Sequence, residues 1–138
     1  MTDTSCPLCQ THNEEVLWCD ATLRVIRVND PVYPGFCRVI LNRHVPEMTD
    51  LPPEERAHLM QTVFVVETAL RELMRPDKIN LASLGNQVPH LHWHLIPRFT
   101  DDAHFPDPVW AAARRAGRAH PVDAARLKQF ISQRLSDA

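Results

Sequence analysis

The sequence predicts an α+β fold: a five-stranded antiparallel sheet, one long helix laid across it, and a C-terminal helix. Three observations carry that expectation. Short apolar runs bounded by turn residues recur on both sides of one long stretch, 54–75, whose apolar residues repeat at helical spacing. The segment PHLHWHLIP, 89–97, alternates histidines with large apolar residues, the period of a strand.

Residues 15–19 and 23–28 read as two strands joined at Asp20 and Ala21, a hairpin spacing. DPVYPG breaks the pattern, and FCRVIL supplies a third strand on which Cys37 is a small buried residue. NRHVPEMTDLPP is a loop. Over 54–75, Leu59, Val63, Val66, Leu70 and Leu73, flanked by Met60, Phe64 and Met74, form an apolar stripe. Pro76 ends that helix, because a proline disfavours helical backbone in the residue before it. Residues 79–84 are the fourth strand, GNQVP is a tight connection, and the histidine segment is the fifth strand. Residues 122–135 form the last helix, with Ala125, Leu127, Phe130, Ile131 and Leu135 as packing positions. The stretch DDAHFPDPVW, 101–110, is neither helix nor strand; it is either a packed loop or a cover reaching back over the histidine face.

A length of 138 residues suits one domain with a single core, so 1–138 is expected to be one domain. With 15 Lys plus Arg against 17 Asp plus Glu, net charge gives no reason to expect nucleic-acid binding. Apolar runs such as 63–66 fall far short of the about 20 residues a membrane span requires, and no signal segment is evident. A cytoplasmic protein with reduced thiols at Cys6, Cys9, Cys19 and Cys37 is the expectation.

On a strand, His90, His92 and His94 share one face while Leu91, Trp93 and Leu95 pack on the other. With 8 histidines in the chain, about 0.03 such windows are expected by chance, so the set points to function. Two chemistries fit. Neutral imidazoles bind metals, and H-x-H pairs reach one ion. An imidazole is also a good nucleophile near neutral pH, and neighbouring rings can fix its tautomer and stabilise charge on phosphoryl oxygens. Gly85, Asn86 and Gln87, just upstream, suit phosphate contacts.

HLHWHLI, 90–96, matches the His-x-His-x-His signature of the histidine triad (HIT) superfamily, with NLASLGNQVPHLHWHLIPRF similar to that family's last two strands. The C-x-x-C head, the PGFCRVILNRHV strand, the long helix and DDAHFPDPVW resemble short bacterial members described as diadenosine tetraphosphate hydrolase-like. The resemblance implies a purine nucleotide hydrolase or transferase acting at the α-phosphate, with no metal in the chemistry. By motif position His92 would form a covalent nucleotidyl intermediate, His94 would contact the phosphate, and His90 would support the nucleophile. Asn86 and Gln87 would lie against phosphates or leaving group, and Asn29 or Asp30 against the ribose. A homodimer is implied as well.

Two departures from the family pattern stand out: the connection between Asn86 and His90 is short, and Phe36 stands where many members carry another histidine. Cys6-Pro7-Leu8-Cys9 alone is a modest signal, since zinc needs two further ligands. The resemblance supplies them, implying structural zinc on Cys6, Cys9, His44 and His90. Two alternatives remain at the level of sequence: a nucleotide-binding regulatory module with incidental turnover, and a metal-dependent hydrolase using all three triad histidines as ligands.

Overall fold

The computed structural model describes residue 3 and residues 5–136. In chain order its elements are β1 (Glu15–Cys19), β2 (Leu23–Arg27), β3 (Cys37–Leu41), α1 (Pro53–Met74), β4 (Lys78–Ala82), β5 (His92–Arg98) and α2 (Ala124–Ser136). The strands form one antiparallel sheet in the order β1-β2-β3-β5-β4, so the expected α+β architecture is the one found.

Local chemistry explains the boundaries. The β1–β2 turn spans Asp20, Ala21 and Thr22, one residue more than expected, and Asp20 Oδ1 holds it by accepting from the N–H groups of Thr22 and Leu23 at 2.8 and 2.7 Å. Helix α1 starts with Pro53 in its first turn followed by Glu54 and Glu55, which suit its positive end. It stops at Arg75, in the left-handed region at φ 50°, whose N–H reaches Arg71 O at 3.1 Å. Helix α2 is capped by Asp123, which accepts from the N–H of Arg126 at 3.1 Å.

Strand alternation sorts the side chains. Leu23 and Val25, Cys37, Val39 and Leu41, and Leu95 face Leu59, Val63, Val66 and Leu70 of α1, with Leu127 and Ile131 of α2 closing the same core. Burying each of these aliphatic side chains contributes about 1.5–3 kcal/mol. Phe64 lies off this stripe and remains 48% exposed. Among the described residues no helix is long and apolar enough to cross a membrane.

The opposite face carries Arg24 and Ile26, Arg38 and Ile40, then His92, His94, Ile96 and Arg98. The amino-terminal head covers one end, with Cys6 and Leu8 packed on Ile26 and Ile40. The 99–110 segment covers the other end, where Val109 packs with Tyr33, Phe36 and Ile96. Asp102 pins that segment: it accepts from Arg98 Nε at 2.8 Å and Nη2 at 3.1 Å, from the N–H groups of Phe99, His104 and Phe105, and from Tyr33 Oη.

Two sequence-based boundaries need correction. Strand β4 covers Lys78–Ala82 rather than 79–84; Ser83 leaves the ladder and its Oγ donates to His92 O at 2.8 Å. Strand β5 begins at His92, so His90 precedes the strand expected to carry it. Pro89 has no N–H to offer a ladder, and the N–H of His90 turns back to Val88 O at 2.8 Å.

Candidate active site

Strand β5 places His92 beside Ile40 and His94 beside Arg38 in the pairing with β3. The two imidazoles lie 4.8 Å apart between ring centroids and nearly perpendicular, at 84°. They border a cleft of about 320 Å³ lined by Arg38, Leu84, Gly85, Asn86, Gln87, Val88, His92, His94 and Trp110. The cleft is edged by a turn at Gly85, whose φ of +77° is a conformation that suits glycine.

Hydrogen bonding fixes both tautomers. His92 Nδ1 lies 2.5 Å from His90 O, and a carbonyl only accepts, so Nδ1 carries the proton and Nε2 the lone pair. His94 Nδ1 accepts from Arg38 Nε at 3.3 Å, which leaves its proton on Nε2. Burial lowers the proton affinity of both rings, with Arg38 adding to the effect at His92. His94 is pushed down to about 4 by burial, His92 and Arg38 in that order. At neutral pH the site therefore holds one unprotonated nitrogen nucleophile and one neutral N–H donor.

His90 belongs to a different cluster. Its ring has no exposed surface, Nε2 donates to Leu41 O at 2.6 Å, and Nδ1 is thereby left unprotonated. Nδ1 lies 3.4 Å from Cys6 Sγ, 3.5 Å from Cys9 Sγ and 3.3 Å from His44 Nδ1; Cys9 Sγ lies 3.5 Å from His44 Nδ1. All four ligand atoms lie within 4.8 Å of one another. A tetrahedral zinc ion bound at ordinary Zn–N and Zn–S lengths would require edges of about 3.3 Å between nitrogens and 3.6 Å between nitrogen and sulfur, so the donor set fits that ion.

The structure thus brings His92, His94, Asn86 and Gln87 together around one cleft, and Cys6, Cys9, His44 and His90 around another centre. Asn29 and Asp30 do not line the cleft. Asn29 is exposed, and Asp30 Oδ1 accepts from the N–H groups of Val32 and Tyr33 in its own turn. Phe36 packs edge-on to His94, ring centroids 5.6 Å apart. Sequence reasoning missed Arg38 and the individual role of Trp110, whose ring stands 5.3 Å from that of His94. The 101–110 segment does reach back over the histidine face.

The HIT domain family model matches residues 10–101. A histidine triad protein from Bradyrhizobium japonicum is 34% identical, with a TM-score of 0.68, covering 89% of this chain and 92% of that one. A bis(5'-nucleosyl)-tetraphosphatase (asymmetrical) from Schizosaccharomyces pombe is 34% identical over 73 residues, 49% of this chain and 40% of its own length. An AP-4-A phosphorylase from Mycobacterium tuberculosis is 32% identical over 81 residues, 54% of this chain and 42% of its own length. The chain spans about two fifths of the length of these two curated relatives.

Proposed function

The chain belongs to the HIT domain family, and on that premise we propose that it is a nucleotide hydrolase or transferase acting at the α-phosphate through a covalent nucleotidyl-histidine. The observation that carries this reading is the bond from His92 Nδ1 to His90 O, which leaves Nε2 unprotonated on a ring that lines the cleft. In the first step a bond forms between Nε2 and phosphorus, and the bond to the leaving group breaks with its electron pair. The Nε2–H of His94 donates to a phosphoryl oxygen as charge accumulates there. Water then attacks phosphorus, its proton passes to solvent, and the electron pair of the P–N bond returns to His92. The curated relatives named above act on dinucleoside polyphosphates by their names, and that substrate class suits the cleft.

In this reading Cys6, Cys9, His44 and His90 hold a structural zinc ion that ties the head to β5. Two thiolates and two imidazoles close the shell and leave no position for an activated water, so the ion takes no part in the chemistry. Residues 1–138 are taken as one domain, supported by a core that joins both helices to the sheet. The unpaired outer edge of β4 and the exposed Phe64 on α1 support a homodimer.

The test is His92→Ala and His92→Asn against wild type with a dinucleoside tetraphosphate and a nucleoside phosphoramidate. Turnover is expected to fall by at least about a thousandfold while nucleotide binding persists, and acid-labile label is expected on wild type after rapid quench. Near wild-type turnover by His92→Ala refutes the mechanism.

A further inference from the structure

Each of the other two arginines on the sheet's second face has a carboxylate partner. Arg24 pairs with Glu14 and Arg98 with Asp102, both at 2.8 Å. Arg38 has none among the described residues. Its Nε donates to His94 and its guanidinium carbon sits 5.5 Å from the centre of the Phe36 ring, but among the described residues neither terminal nitrogen meets an acceptor. The residue is half-buried in the middle strand, and burial pulls its proton affinity down. Glu14 acts on it only through space and less strongly than burial does, and a half-buried guanidinium whose terminal nitrogens are left over suits an anionic ligand.

The donors around the cleft identify that ligand. Arg38, Asn86, Gln87 and His94 all line it, and with Arg38 Nε spent on His94 Nδ1, the terminal nitrogens of Arg38, the two side-chain amides and His94 Nε2 are the donors these residues have left for a ligand. A phosphodiester under attack offers only two non-bridging oxygens, fewer than these donors can serve. A guanidinium fork matches the oxygens of a further phosphate.

We propose that Arg38 binds the phosphate adjoining the one attacked, so that the site selects nucleotides whose α-phosphate is linked by anhydride to further phosphates. This rests on the reading that His92 attacks the α-phosphate. When the P–O bond of an anhydride breaks, the electron pair stays on the departing phosphate oxygen, and the added negative charge lies beside Arg38. When the P–N bond of a phosphoramidate breaks, the amine takes a proton and leaves without negative charge. Arg38 then has nothing further to stabilise.

The experiment measures kcat/KM of wild type, Arg38→Leu and Arg38→Lys on diadenosine tetraphosphate and adenosine 5'-phosphoramidate. It also measures binding of a non-hydrolysable tetraphosphate analogue and of AMP to His92→Ala with and without Arg38→Leu. Arg38→Leu is expected to lose about a hundredfold or more on the tetraphosphate and at least tenfold less on the phosphoramidate. Arg38→Lys should regain part of the difference, and the analogue should lose more affinity than AMP. The loss common to both substrates measures the hold of Arg38 on His94. Equal losses on both substrates, with equal losses of analogue and AMP, overturn the assignment and leave the role of His92 intact. A wild-type protein that turns over neither substrate, and binds the analogue no tighter than Arg38→Leu does, overturns both. If Arg38→Leu does not fold, the ratio of the two substrates in Arg38→Lys decides, and an unchanged ratio refutes the proposal.

Discussion

Asp102→Ala tests the anchor that holds the 99–110 segment over the cleft. Asp102 is 1% exposed and Arg98 is 2% exposed, so the variant leaves a guanidinium buried without its carboxylate. It also removes the acceptor for the N–H groups of Phe99, His104 and Phe105. Breaking a buried ion pair from one side costs about 3–5 kcal/mol. That is a large share of the about 5–15 kcal/mol a domain possesses, and it corresponds to a Tm lower by about 10–15 °C. Urea denaturation followed by circular dichroism at pH 7 measures it. The pH dependence gives a second signature. Burial opposes ionisation of Asp102, but Arg98 and the three N–H donors outweigh it and hold the carboxyl well below the usual carboxylate range. A lowered folded-state pKa means that the stabilisation is fully present above the unfolded value, about 3.9, and is lost as pH falls from there toward the folded one. Wild type should therefore lose stability more steeply than Asp102→Ala below about pH 4. Because the segment carries Trp110 to His94, kcat/KM should also fall under conditions where the variant is folded. A stability loss under about 1 kcal/mol at pH 7, with the acid limb unchanged, refutes this account of Asp102.

Two further outcomes follow from the same geometry. Protein purified without chelator or affinity tag should contain about one zinc per chain, and Cys6→Ser should lose the metal and several degrees of Tm while retaining measurable turnover; less than a tenth of an equivalent after supplementation counts against the centre. Light scattering at micromolar concentration should give about twice the chain mass, and a value of 15.8 kDa excludes the dimer.

Periodicity made much of the fold legible. Alternation in HWHLI separated His92 and His94 from Trp93 and Leu95, and Pro76 marked the end of α1, because both signals are local in the chain. The position of His90 was less legible, since its departure from the ladder depends on Pro89 and on a head 81 or more residues away in sequence. Arg38 was overlooked because FCRVIL reads as a buried apolar run; a lone cation at the alternate position was the available signal. Trp110 lies 16 residues beyond His94, and its approach is set by the buried Arg98–Asp102 pair, which no spacing rule announces. Asn29 and Asp30 rest on the resemblance alone, and the bonds that Asp30 Oδ1 makes in its own turn carry no signal in the sequence that would place either residue at the cleft.

The two functions of His90 are carried by different atoms, the ring facing Cys6, Cys9 and His44, and the carbonyl facing His92. Side-chain mutagenesis can reach only one of them. An alanine at this position deletes the imidazole and keeps the peptide oxygen, so a scan across the three histidines is not a comparison of like with like. At positions 92 and 94 it removes groups that border the cleft; at 90 it edits a brace, and the nucleophile's partner survives in the main chain. A mild phenotype there would therefore say nothing against the importance of residue 90. The informative perturbation is of the backbone itself, an ester in place of the 90–91 amide, which weakens the oxygen as an acceptor and leaves every side chain as it was; it also removes the Leu91 N–H that donates to Val45 O at 2.8 Å, a loss that an ester variant of the His92→Ala protein measures separately through its stability.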